Sequence, residues 1–414
     1  MVSLCNWPLN CLVDVSCFVL NFHFFLKGRK EWDLKVVKRG ELQGNLKGRR
    51  GKDFRKRSQI RLEKKNLKIR QTIMNPIIVI FGANGFLGRY LCRHFAQNGK
   101  EVVAIARSRE GWSGDGMFLE WDGKTLGPWA LALEGAEAVI NLAGRSVNCR
   151  YTEKNRQEIL ESRVDATRVI GQAISACKTP PKTWVNASTA TWYRHAEDRA
   201  QNDWMGEAGE GFSHEVAQAW EDAFFEAPLP AETRKLALRI GMVMANERGT
   251  VYDVLRGLTA RGLGGAMGDG NQRISWIHME DFLRAVDFAL EDAFLDGVVN
   301  VTAPECPTNR EWMGIFRKLV GMPLGVPAAR WMLEIGARLM GTETELILKS
   351  RWVTPVRLHD AGFHWRWARA ADALADLQAR RGMEGFFQTG AARVGGANPR
   401  HERRPVDETR ALNA

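Results

Sequence analysis

A chain of 414 residues, 45% hydrophobic and 26% charged, is long enough for a large buried core and ordinary in composition for a globular protein. Its net charge of +11 does not describe that body. Residues 27–70 alone hold 18 Lys or Arg against 5 Asp or Glu, which exceeds the whole surplus, so the remainder is near neutral and presents no basic surface for nucleic acid.

Seven cysteines, an odd number without a Cys-x-x-Cys pair or a histidine cluster, argue against a disulfide scaffold and against a metal site. They suit reduced thiols in a cytoplasmic protein. Residues 11–26 (CLVDVSCFVLNFHFFL) are apolar, but the run is short for a bilayer span and carries Asp14. No Lys or Arg precedes it, so the positive start of a secretory signal is missing. If it did insert, the basic stretch behind it would hold the main domain on the cytoplasmic side. Residues 27–70 are polar, basic and poor in periodic apolar positions, the pattern of a disordered or marginally helical segment. Residues 1–73 thus have three readings: a membrane anchor, a nucleic-acid-binding arm, or an over-extended start ahead of Met74. The third is favoured, because Met74 stands just before the first strand of a domain that needs nothing upstream.

That strand is predicted at 77–81 (IIVIF), an apolar run suited to a buried parallel position. GANGFLG follows, with Gly82, Gly85 and Gly88 spaced three apart, and then a helical pattern that stops at Gly99. Strand, glycine turn and helix in this order form a phosphate cradle. Glycines let the backbone approach a pyrophosphate, and the helix start supplies aligned N–H donors. The second strand, 101–106, runs into Arg107, where an NAD site would present an acidic side chain to the ribose. An arginine there pairs with a 2′-phosphate and stacks on adenine, so NADP(H) is expected in preference to NAD(H).

Further strands are predicted at 117–121, 138–144, 183–189 and 235–244, separated by helices that include 153–177 and 213–225. The alternation predicts an α/β fold, a doubly wound parallel Rossmann sheet; the smaller mixed C-terminal substrate lobe expected beside it is what the family resemblance given below implies. Expected cofactor contacts are Gly82, Asn84, Gly85, Phe86, Leu87 and Gly88 in the loop, and Arg107 after the second strand. Asp122 would reach the adenine edge, while Asn141, Leu142, Ala143 and Gly144 would pass beneath the cofactor. In GLGGAMGDGNQRISWIHMEDF, from Gly262, the glycines predict a tight loop, Arg273 is a candidate to meet an anionic substrate, and His278 reads as structural. The organisation expected is a leader at 1–73, a cofactor domain at 74–245 completed by later strands, a substrate lobe with an extension at 246–380, and a disordered tail at 381–414.

These segments resemble the extended short-chain dehydrogenase/reductase superfamily, and within it an atypical epimerase-family branch. The resemblance runs through GANGFLG, NLAGRSV, ESRVDATRVI, NASTATWY, AWEDAFF, LRIGMVM and NVTAPECPTN, and continues into ETELILKSRWVTP. It implies a cofactor lobe and a smaller lobe with a small-molecule substrate between them. It also implies a catalytic hydroxyl at Ser188, with Thr189 as substitute, and a catalytic tyrosine at Tyr193. The superfamily's lysine would stand four residues on, where this chain has Glu197. Without that cation the phenol stays protonated near neutrality, unless Arg194, His195 or Lys154 supplies the charge. Two functions follow: an NADP(H)-dependent oxidoreductase or epimerase acting on a sugar nucleotide or carbonyl compound, or a non-catalytic NADP(H)-binding regulator. Oligomeric state is left open.

Overall fold

Ile77–Phe81 is buried at every position, which suits a strand covered on both faces; it forms β1 at the centre of the sheet. The computed structural model describes residues 76–381 apart from 111, 113 and 115. The expectations placed on residues 1–73 and on the tail beyond Arg381 lie outside the described residues.

Seven strands form one sheet, all parallel. In chain order they are β1, β2 (Glu101–Ala106), β3 (Met117–Glu120), β4 (Ala138–Asn141), β5 (Thr183–Thr189), β6 (Arg234–Ile240) and, after two short strands elsewhere, β9 (Gly297–Val301). Their spatial order is β3-β2-β1-β4-β5-β6-β9. The chain therefore works outward to one side from β1 and to the other side from β4. This reversal opens a crevice beyond the carboxyl ends of β1 and β4, where open α/β sheets bind ligands.

Helices cover both faces. Leu91 and Phe95 of α1 (Phe86–Gln97) and Phe282 and Val286 of α5 (Met279–Glu291) share a core with Ile78, Ile80 and Val185. Because strand side chains alternate, Trp184 and Asn186 point to the opposite face from Val185. There α2 (Glu153–Ser175) packs on α3 (Phe212–Phe225), and Trp184 meets Phe224 with ring centres 4.6 Å apart.

The predicted strand 235–244 is two strands. At Gly241 the chain leaves the large sheet, and β7 (Met242–Met244) pairs instead with β8 (Trp276–His278). A Cβ on Gly241 would stand 2.9 Å from Thr302 Cγ2 and 3.2 Å from the Ser275 carbonyl oxygen, so the crossing requires a residue without a side chain. Around this small sheet Tyr252, Trp276, Trp312, Phe316 and Leu374 form a second core. It gathers α4 (Val251–Ala260), α6 (Asn309–Val320) and, beyond α7 (Arg330–Met340), α8 (Glu345–Leu348) and α9 (Val356–Asp360), the last helix α10 (Ala370–Ala379). Helix α6 is bounded as its sequence dictates, by a Thr308–Glu311 capping box and by left-handed Gly321. No helix among the described residues is long and apolar enough to cross a membrane.

Candidate functional site

A cleft of about 640 Å³ lies at the point where the strand order reverses. Gly82, Gly85, Phe86, Leu87 and Gly88 line one end of it. Gly82 holds φ +76°, and a Cβ there would lie 2.8 Å from the Leu142 carbonyl carbon. At Gly88 a Cβ would lie 2.3 Å from the Gly82 oxygen, so α1 starts directly on the turn. The N-cap of α1 is Gly85, which has no side chain to satisfy the first-turn N–H groups. An uncapped helix start facing a cleft is an anion site by geometry and by dipole.

Asn84 does not line the cleft. Its amide bonds the Ser108 carbonyl and so ties the glycine loop to the segment after β2, while its Oδ1 is buried without a partner among the described residues. Arg107 is exposed at the carboxyl end of β2 and forms no ion pair among the described residues. Leu142 and Gly144 line the cleft, and the Ala143 N–H donates to Asn141 Oδ1 at 3.0 Å. Asp122 closes its own turn instead: its carboxylate accepts from the N–H of Lys124 (2.8 Å), the N–H of Thr125 (2.9 Å) and the Thr125 hydroxyl (2.7 Å). Those donors, Lys124 first, hold its pKa down. Nothing brings Asp122 to the cleft lining.

Ser188, Thr189 and Thr191 also line the cleft. Ser188 donates to Glu221 on α3, and Glu221 in turn accepts from Arg239 through Nε (2.8 Å) and Nη2 (2.7 Å). Ser188 and Arg239 are partners in the β5–β6 register, so the sheet itself sets this row.

Tyr193 belongs to that row and not to the cleft. It is 1% exposed, its hydroxyl donates to Asn300 Oδ1 at 2.9 Å, and its ring lies 4.8 Å from the Arg239 guanidinium. Burial pushes the hydroxyl up to about 12 against the lowering pull of Arg239. The short 3-10 turn Ala190–Trp192 separates the two residues: Ser188 lines the cleft, and Tyr193 is not among its described lining residues. The cations weighed for Tyr193 are engaged elsewhere: Arg194 with Asp198 and Glu207, His195 with Glu197 at 3.4 Å, and Lys154 with Glu158 at 4.0 Å. Arg273 likewise turns from the cleft, bonding the Cys306 carbonyl oxygen and stacking on Trp352 at 4.4 Å. His278 caps α5 by accepting from the Glu280 N–H at 3.1 Å.

Residues 78–210 match a model described as the NAD dependent epimerase/dehydratase family. The epimerase family protein YfhF of Bacillus subtilis is 30% identical over 308 residues, covering 73% of this chain and 98% of its own length. The chain belongs to the epimerase family. The human family member SDR39U1 (isoform 2), crystallised with NADPH, superposes with a TM-score of 0.64 at 26% identity, over 73% of this chain and 99% of that one. MoeE5, solved with UDP-glucuronic acid and NAD, shares the fold with a TM-score of 0.59 at 20% identity, covering 74% and 99%.

In this epimerase-family protein residues 328–377 match a second model, a domain of unknown function. That segment is woven into the site's supports. The Ser350 hydroxyl donates to the Ala196 carbonyl at 2.6 Å, the Gln201 N–H donates to the Trp352 carbonyl at 2.7 Å, and Glu343 accepts from the Tyr151 N–H at 2.6 Å. Tyr151 lines the cleft, so the extension fixes part of its wall.

Glu221, Arg239, Tyr151 and Arg163 were not singled out from the sequence. A signal existed for two of them: Arg239 interrupts the apolar strand LALRI, and Glu221 shares a helix face with Ala217 and Phe224. A charge at such a position is kept only when paired. No group of three or more His, Cys, Asp or Glu among the described residues could hold a metal ion.

Proposed function

We propose that this epimerase-family protein is an NADP(H)-dependent oxidoreductase or epimerase acting on a small molecule, a sugar nucleotide or carbonyl compound. The observation that carries the reading is one cleft lined both by an uncapped glycine loop and helix start and by Ser188. NADP(H) when bound supplies or takes a hydride. The glycine loop would hold the pyrophosphate by backbone N–H groups, and Arg107, exposed and without an ion pair among the described residues, would hold the 2′-phosphate. The NADPH in the human relative's crystal supports this choice over NAD(H).

Ser188 donates its proton to Glu221, so towards the cleft it offers lone pairs. It would orient a substrate hydroxyl, and Arg239 keeps Glu221 fixed behind it. On this reading Ser188→Ala lowers turnover about a hundredfold, the lower end of what a positioned proton-handling group contributes. Tyr193→Phe changes it less than about twofold, since the phenol faces Asn300 and not substrate. The assay is NADPH consumption or sugar isomerisation over a panel of carbonyl compounds and sugar nucleotides. No turnover anywhere in the panel, or equal turnover by Ser188→Ala, sinks the proposal.

A second reading is favoured by the burial of Tyr193 away from the cleft: a non-catalytic regulator whose association with another protein responds to NADPH. It predicts that recovery of a partner differs with and without NADPH. Equal recovery removes it.

A further inference from the structure

Among the described residues Arg163 is the one charged residue in the cleft lining; every other described lining residue is apolar, a glycine, or a neutral hydroxyl such as Tyr151, Ser188 or Ser213. It stands in the middle of α2, beside Trp220 of α3. Its Nη1 donates to the carbonyl oxygens of Arg145 (3.0 Å) and Ile159 (2.9 Å), and its guanidinium lies 5.1 Å from the centre of the Trp220 ring. A Cβ on Gly144 would come within 3.1 Å of Cζ, so a glycine there leaves room for the guanidinium. These contacts fix the plane of the fork. They use one of its nitrogens, and no N–H of Nε or Nη2 donates to a described residue.

No carboxylate among the described residues offsets this cation. Burial pushes its pKa down to about 10, still high enough to keep the charge at neutral pH. A desolvated guanidinium without a counter-ion costs stability, and the pair of free donors suits a planar or tetrahedral oxyanion. We propose that Arg163 anchors an oxyanion of the substrate, a carboxylate or a phosphoryl group, on the α2–α3 wall of the cleft. The inference rests on the reading of this cleft as a cofactor-and-substrate site and narrows it to anionic substrates.

The test is calorimetric titration of the full chain, with and without saturating NADPH, using inorganic phosphate, pyruvate and the neutral amide of pyruvate. Ionic strength is held constant with chloride. Wild type, Arg163→Met and Arg163→Lys are compared after their thermal midpoints have been matched, and Arg163→Lys serves if the methionine variant does not fold. The expected result is saturable binding of at least one anion and none of the amide. Binding weakens at least about tenfold in Arg163→Met and less in Arg163→Lys, as loss of a charge-assisted pair requires. NADPH affinity falls by less than anion affinity in both variants, because the pyrophosphate would be held by the glycine loop, although Arg163 stands against Gly144. Unchanged anion binding in Arg163→Met, equal binding of the amide, or no anion binding by wild type overturns the proposal. A parallel loss of NADPH affinity also overturns it, since the anion is then the cofactor's own phosphate. If NADPH does not bind but the anions bind through Arg163, the cofactor reading fails and the Arg163 site stands.

Discussion

Glu221 and Arg239 face each other with side chains 5% and 7% exposed, and Ser188 hangs from the same carboxylate. Two charges taken from water are tolerated there because they are paired through two hydrogen bonds, the guanidinium stacks on Trp192 and Glu221 also accepts from Ser188; removing one leaves the other without its counter-ion. Glu221→Leu or Arg239→Met alone should therefore cost about 3–5 kcal/mol in urea unfolding, and the double variant much less than the sum. Additive losses would mean that the two residues pack independently. His278 makes a pH-dependent contribution of known sign. Burial lowers its pKa from 6.5 to about 4, so the folded state resists a proton that the unfolded chain accepts. Its contribution is complete above about 6.5 and is lost as pH falls from 6.5 through 4, on the order of 3 kcal/mol at most. His278→Asn, which retains a cap, should flatten the stability curve in that window. A parallel curve would contradict the assignment.

Elements differ in how far local sequence determines them. The β1–loop–α1 unit was readable because its constraints lie within a dozen residues: five apolar positions, three glycines and a helical period. Gly88→Ala tests that unit. The added methyl would strike backbone at 2.3 Å, so stability should fall by about 1–3 kcal/mol, with NADPH binding lost. Gly99 also has φ +77° but has nothing within 4 Å of its notional Cβ. Gly99→Ala should cost about 1 kcal/mol of backbone strain and spare the cofactor, as titration and thermal unfolding together would show. Equal effects of the two substitutions would show that conformation alone, and not the close packing of α1 on its turn, is at stake.

Other elements depend on partners remote in sequence. The apolar run 235–244 reads as one strand, yet it divides at Gly241 because Ser275 and Thr302 crowd that point. Tyr193 is the tyrosine that the resemblance offered as catalytic, but its hydroxyl donates to Asn300, 107 residues away, and it is not among the described cleft-lining residues. Arg163 was part of a motif quoted for family resemblance, and nothing local marks it as the charge in the cleft. Spacing tells which residues share an element; it does not tell which way a loop carries them.

At the scale of the whole molecule, the lining residues run from Gly82 to Val251, while their supports extend to Trp352. A chain beginning at Met74 should therefore bind NADPH within about twofold of the full-length protein, a difference under about 0.5 kcal/mol. The extension is not dispensable in the same way. The Ser350 hydroxyl donates to the 190s loop, and its backbone N–H donates to His195 Nδ1 at 3.1 Å. The main sheet, too, is completed late, by β9 at its edge, so cofactor and substrate segments are interleaved in sequence.

The central claim is an NADP(H) site in the glycine-loop cleft with Arg107 as the residue that prefers the 2′-phosphate. Its most direct test is parallel titration of wild type and Arg107→Ala with NADPH and NADH. Wild type should favour NADPH, and Arg107→Ala should weaken NADPH binding about tenfold or more while leaving NADH nearly unchanged, the expected loss for one charge-assisted phosphate contact. Equal affinity of wild type for the two cofactors, or equal loss of both in the variant, would contradict it.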